Sequence, residues 1–115
     1  MKIETKKLLA ELAIIAVGQH QYSPAESIAT SLSSDSSFTE IVATIRALSL
    51  MNRGQYQAAL DLLEPLAAEY QDLICFTVLC SAELGLATKL DFWLAKASKS
   101  DSASLQAFAT SYQVA

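Results

Sequence analysis

Apolar residues recur along this chain at the three-and-four spacing of helices, and no segment sustains the strict alternation of a strand. From Ile3 to Val17 the sequence is apolar nearly all round, interrupted by Glu11, and Gly18 closes it. Residues 23–26 (SPAE) predict a helix start, with Ser23 as cap, Pro24 at the first helical position and Glu26 completing a capping box. That helix runs through Ile28, Ala29 and Leu32. The serine-rich stretch 31–37 reads as a loop. A second capping box at 37–40 (SFTE) opens a helix with Ile41, Ile45, Leu48 and Met51 on one side, and Gly54 ends it. The next helix is predicted over 58–70, kinked or cut short by Pro65. Another spans 73–84, closed by Gly85. Leu90, Leu94 and Ala97 mark a sixth helix, and Asp101 is positioned to cap a seventh carrying Leu105, Phe108 and Tyr112.

The glycines expose a repeat. Gly18 and Gly54 are 36 positions apart, and Gly54 and Gly85 are 31. Tyr22, Tyr56 and Ala87 follow them, and Ala25, Ala59 and Leu90 come three residues later in each case. The same face continues through Ala29, Leu63 and Leu94, then Leu32, Leu66 and Ala97. A helix, a glycine turn and a second helix with a period near 34 is the tetratricopeptide pattern. The middle elbow, GQYQAAL at 54–60, fits it well; the first unit carries an extra residue before Tyr22, and the third lacks the tyrosine. The expected fold is therefore all-α: tandem helix-turn-helix hairpins forming three degenerate tetratricopeptide-like repeats, about 3–35, 38–70 and 71–99, plus a C-terminal helix at 101–113. Together they make one domain over 1–115. A small residue early in each second helix lets the first approach closely, and Tyr56 fills the space at the turn.

Composition sharpens this picture. Of 115 residues, 52% are apolar and only 17% charged, against roughly 25% charged in an average soluble domain. A chain this small and apolar is expected to leave apolar surface for an obligate partner. Net charge is −4, and the eight Lys and Arg residues are scattered, so no basic stripe invites nucleic acid. No apolar run reaches the roughly 18 residues of a membrane span. With no signal peptide visible, the expected compartment is the cytosol. Cys75 and Cys80 are five apart. On one helix they point about 140° apart and cannot bridge each other.

In a stack of such hairpins the first helix of each lines the concave side, where these arrays bind. Registering on the glycines places Ala10, Ile14 and Val17 inward in the first unit, and Ile41, Thr44, Leu48 and Met51 in the second. In the third they are Cys75, Leu79 and Ala82, with Phe76 nearby and Phe108 on the last helix. This set is apolar, with Asn52 only at its edge, so it suits an apolar helix or strand. The plainer reading is ordinary core covered by the seventh helix.

Chemistry is sparse. His20 is the lone histidine and sits in a turn, so no metal set is evident and no cofactor is called for. Both thiols occupy apolar helix positions that raise their pKa and disfavour a nucleophile pair with His20. There is no phosphate-binding glycine loop, and no enzyme is expected.

The segments LLAELAIIAVGQHQYSPAESIATSL (8–32), LSLMNRGQYQAAL (48–60) and LCSAELGLATKLDFWL (79–94) together resemble the tetratricopeptide-type chaperones of the bacterial type III secretion needle subunit. The resemblance implies a cytoplasmic protein that holds the needle subunit as a monomer. It implies an apolar groove, the inward set above, cradling that subunit's amphipathic C-terminal helix. It further implies a small helical co-chaperone packed near the N-terminal repeat, for which Leu9, Leu12 and Ile15 are the expected surface. The implied assembly is a 1:1:1 heterotrimer that prevents premature polymerisation. The alternative is a general tetratricopeptide scaffold that joins two proteins without restraining either.

Overall fold

A computed structural model describes residues 1–114 as helices joined by tight turns, with no strand among them. The helices are α1 (Ile3–Gly18), α2 (Tyr22–Leu32), α3 (Thr39–Asn52), α4 (Tyr56–Ala67), α5 (Ile74–Glu83), α6 (Ala87–Ser98) and α7 (Ala103–Val114). Short 3-10 turns at Ser36–Phe38 and Gln71–Leu73 lead into α3 and α5. The all-α expectation holds.

Three turns share one hydrogen-bond scheme. After α3, Gly54 N donates to Met51 O and Gln55 N to Leu50 O, at 3.0 and 2.8 Å. After α5, Gly85 N donates to Ala82 O and Leu86 N to Ser81 O, at 3.1 and 2.9 Å. Both glycines have φ near +70°, at 75° and 69°, as a left-handed helix closure requires. After α1 the same pair of bonds runs from His20 N to Val17 O and from Gln21 N to Ala16 O. The left-handed residue there is His20, with φ 61°. Gly18 is the last helical residue and not the turn expected of it. His20 is thus the counterpart of Gly54, 34 residues on, and the supposed extra residue before Tyr22 disappears.

Several helix starts differ from those expected. Helix α2 enters through Gln21, with no side-chain cap, and begins at Tyr22. Ser23 and Pro24 therefore lie inside the first turn, where Pro24's missing N–H costs nothing. Asp35, not Ser37, caps the turn before α3: its carboxylate accepts from Ser37 N at 3.0 Å. Ser102, not Asp101, caps α7, its hydroxyl accepting from Leu105 N at 3.2 Å. Helix α4 starts at Tyr56 and ends at Ala67, short of residue 70, just after Pro65. Pro65 has no N–H to continue the ladder, and the chain closes with Glu69 N and Tyr70 N both donating to Leu66 O.

The chain forms two compact units, Met1–Gln55 and a second opening at Tyr56. In the first, α1, α2 and α3 pack on one another around Ala13, Ala25, Ala29, Leu32, Phe38 and Ile45. In the second, α5 packs against α4, α6 and α7, and α6 also against α7. Its buried side chains include Ala59, Leu60, Leu63, Ala67, Val78, Trp93, Ala97 and Ala109. Both interiors are rich in alanine, which lets helix backbones approach closely. The repeat register survives: Ala25 and Ala59 are fully buried, as are Ala29 and Leu63, with Leu94 nearly so.

Candidate partner-binding surfaces

The first unit is braced at one end by polar side chains. Asn52, the last residue of α3, donates its amide to Val17 O at 3.0 Å and to Tyr22 Oη at 2.9 Å. His20 Nδ1 lies 2.7 Å from the same hydroxyl. The Arg53 guanidinium stacks over the Tyr22 ring at 4.9 Å and donates to Ser49 O and Oγ. At the other end Lys6 on α1 pairs with Asp35 at 2.7 Å and lies over the Phe38 ring. The hydrogen bond from Lys6 holds the Asp35 carboxyl well below the usual carboxylate range, with the Ser37 hydroxyl and N–H adding to it.

Between these braces two apolar features remain. A groove between α1 and the start of α3 is lined by Ile3, Ala10, Ile14, Phe38 and Ile41, with Lys7, Glu11 and Glu40 beside them. Of the expected inward residues here, Ile14, Ile41, Thr44, Leu48 and Met51 are half-buried. Val17 and Ala10 are buried in the core. Val17 is therefore a packing residue rather than a groove residue: it faces the interior at the base of α1.

The second feature is a bare stripe on α1. Leu8, Leu12 and Ile15 are 60%, 54% and 56% exposed. Their spacing of four and three sets them on one helix face. Of the residues expected at the co-chaperone surface, Leu12 and Ile15 are exposed and Leu9 is half-buried; exposed Leu8 completes the stripe. A helical projection carries that signal, because Leu8 lies about 20° from Ile15 around the helix and Leu9 about 120°.

In the second unit Cys75, Phe76, Ala82 and Phe108 are half-buried, and Leu79 is 37% exposed. Cys75, Leu79 and Ala82 share the face of α5 turned away from its buried residues Ile74, Val78 and Ser81. Burial raises both thiols, Cys80 to about 11, so neither is a ready nucleophile. Glu64 on α4 ties α6 down, accepting from Lys89 Nζ at 2.7 Å and Trp93 Nε1 at 3.2 Å. Phe92, beside Trp93 in the chain, is half exposed and was not anticipated from the sequence. Among the described residues no group of His, Cys, Asp and Glu is placed to hold a metal ion. None of the described helices is long and apolar enough to cross a membrane.

These surfaces can be set beside known proteins. The family model for the bacterial type III secretion system chaperone protein matches residues 1–114. The type 3 secretion system chaperone YscG of Yersinia enterocolitica is 36% identical over 108 residues, covering 94% of this chain and 91% of that protein. A chain from the solved heterotrimeric complex which regulates type III secretion needle formation matches with a TM-score of 0.88 and 33% identity. The match covers 98% of this chain and 97% of the other.

Proposed function

The chain belongs to the bacterial type III secretion system chaperone family, and from that premise we propose that it captures the amphipathic C-terminal helix of a needle subunit in the bacterial cytoplasm. Family membership makes it a chaperone, a non-enzymatic role. The likeness over nearly its full length to a chain of a needle-regulating heterotrimer carries the reading.

The exposed apolar faces support it. In the first unit, where Lys7 lines the groove together with Glu11 and Glu40, half-buried Ile14, Ile41, Leu48 and Met51 offer partly open apolar side chains. In the second, Cys75, Phe76, Leu79 and Phe108 do the same. An amphipathic helix engages such surfaces through its apolar stripe. The Leu8, Leu12 and Ile15 stripe is then the seat of a small helical co-chaperone, giving a 1:1:1 heterotrimer that keeps the needle subunit from polymerising early. Covering that stripe removes the largest run of exposed apolar side chains on α1.

Co-expression with the products of neighbouring genes, followed by size exclusion and mass measurement, tests the proposal. A stable complex containing one needle-like and one small helical protein is expected. Recovery of the chain alone, with the needle-like protein polymerised, would overturn it.

A further inference from the structure

One depression in the second unit belongs to neither face above. It lies where the end of α4, the start of α5 and the last turns of α6 meet. Ala67, Ala68 and Ile74 supply apolar lining, Phe92, Ala95 and Lys96 line it from α6, and Lys99 follows at that helix's end. Ile74 is turned about 140° around α5 from Leu79, so this site is separate from the face assigned to the needle helix.

Two observations say what would fill it. Phe92 is 52% exposed although it stands beside buried Trp93 and Leu94. Its ring meets Trp93 edge-on at 5.0 Å and carries Lys96 Nζ at 5.3 Å, which fixes an aromatic edge next to a cation. The charge is the second observation. Acids outnumber bases twelve to eight in this chain, yet the charged residues lining the depression are both lysines. Among the described residues neither lysine forms an ion pair, whereas Lys6, Arg46 and Lys89 each do. Lys96 suits the negative end of α6, but a helix dipole does not account for the bare ring beside it.

We propose that this depression docks a short acidic segment of a partner protein. An apolar side chain of that segment packs on the exposed Phe92, Ala68 and Ala95, while its carboxylates meet Lys96 and Lys99. The needle helix and the co-chaperone are not required for it, so it stands or falls independently of the function proposed above.

The test is fluorescence anisotropy on the full chain. The probe is a fluorescein-labelled octapeptide alternating glutamate with leucine and phenylalanine, and its control carries lysine in place of each glutamate. Saturable binding of the glutamate peptide is expected, weakening with added salt as screening predicts. Lys96→Glu with Lys99→Glu, and separately Phe92→Ala, should each weaken it about tenfold. All three side chains are exposed, so the variants should melt like the parent; Lys96→Gln with Lys99→Gln serves if the charge reversal does not fold. Equal binding of the two peptides, unchanged affinity in the variants, or no saturation would overturn the proposal. So would a dimer of the chain dissolved by Phe92→Ala, which would make a second copy the occupant.

Discussion

The side-chain amide of Asn52 reaches from the end of α3 to the main-chain carbonyl of Val17, 35 residues earlier, at 3.0 Å. Its second short bond goes to Tyr22 at 2.9 Å. One residue thereby fixes the end of α3 against both the last turn of α1 and the first turn of α2. Asn52→Ala should lower stability by about 1–2 kcal/mol, the loss of a satisfied amide. Chemical denaturation of the two proteins measures it, and an unchanged midpoint would show the bond to be idle.

The left-handed turns give a paired prediction. A Cβ at Gly54 would meet nothing within 4 Å, so only its positive φ resists substitution. Gly54→Val should cost about 1–3 kcal/mol, while Gly54→Asn, tolerant of that conformation, should cost less. Gly18 is helical and its Cβ position is also open. Gly18→Ala should therefore stabilise by up to about 1 kcal/mol. Thermal melts of the three variants decide the matter, and a destabilised Gly18→Ala would restore Gly18 as the turn.

Leu48 and Leu79 were matched by the sequence repeat, yet their surroundings differ. Leu48 packs against the buried cluster of the first unit, whereas Leu79 is 37% exposed. Leu79→Glu should keep normal helicity and lose the needle-subunit helix, a loss of about 2 kcal/mol or more for a central contact. Leu48→Glu should damage the fold as well, because a charge would enter partly buried surroundings. Circular dichroism and pull-down on the same samples separate these outcomes, and full capture by Leu79→Glu would remove that face from the proposal.

The α1 stripe should report itself in the isolated chain. Changing Leu8, Leu12 and Ile15 together to glutamine should reduce ANS fluorescence and self-association. The same change should abolish co-purification with a small helical partner. Retained co-purification would place that partner elsewhere.

Acid should weaken the first unit through Asp35. Its carboxyl is held below the ordinary value by Lys6, so its stabilisation is complete above the usual carboxylate pKa of about 4. It is lost as pH falls below that value, because the unfolded chain then binds the proton first. Asp35→Asn should flatten the decline in melting temperature over that range, and identical pH profiles would contradict the assignment.

The class of the fold and the packing register were legible in the sequence because alanine and leucine recur at fixed offsets. Helix starts were less so. Ser23, Ser37 and Asp101 each stand near a start, but several capping residues in a row offer competing entries. The choice between them was made by the turn before: closure at His20 obliges α2 to begin at Tyr22. His20 itself was hidden because the pattern assigns left-handed turns to glycine, and a histidine occupies that conformation less often. Among the candidate-site positions, the exposure of Leu12, Ile15 and Leu79 could be read from spacing. Val17 could not, since core and surface leave the same apolar mark in a helix that is apolar nearly all round. Phe92 went unread because its exposure depends on neighbours from α4 and α5.

The alanine-lined interiors have a consequence for sequence drift. Most cores are injured by trimming a large side chain, but an alanine at zero exposure has almost nothing to trim. Ala13, Ala25, Ala29, Ala47, Ala59, Ala67, Ala97 and Ala109 are all in that state. Enlargement is the change they resist, at about 1–3 kcal/mol per overpacked site. Variation in this chain is thus held from above in volume rather than from below, and exposed positions such as Leu8, Leu12 and Phe92 are where side chains can change size without parting the helices.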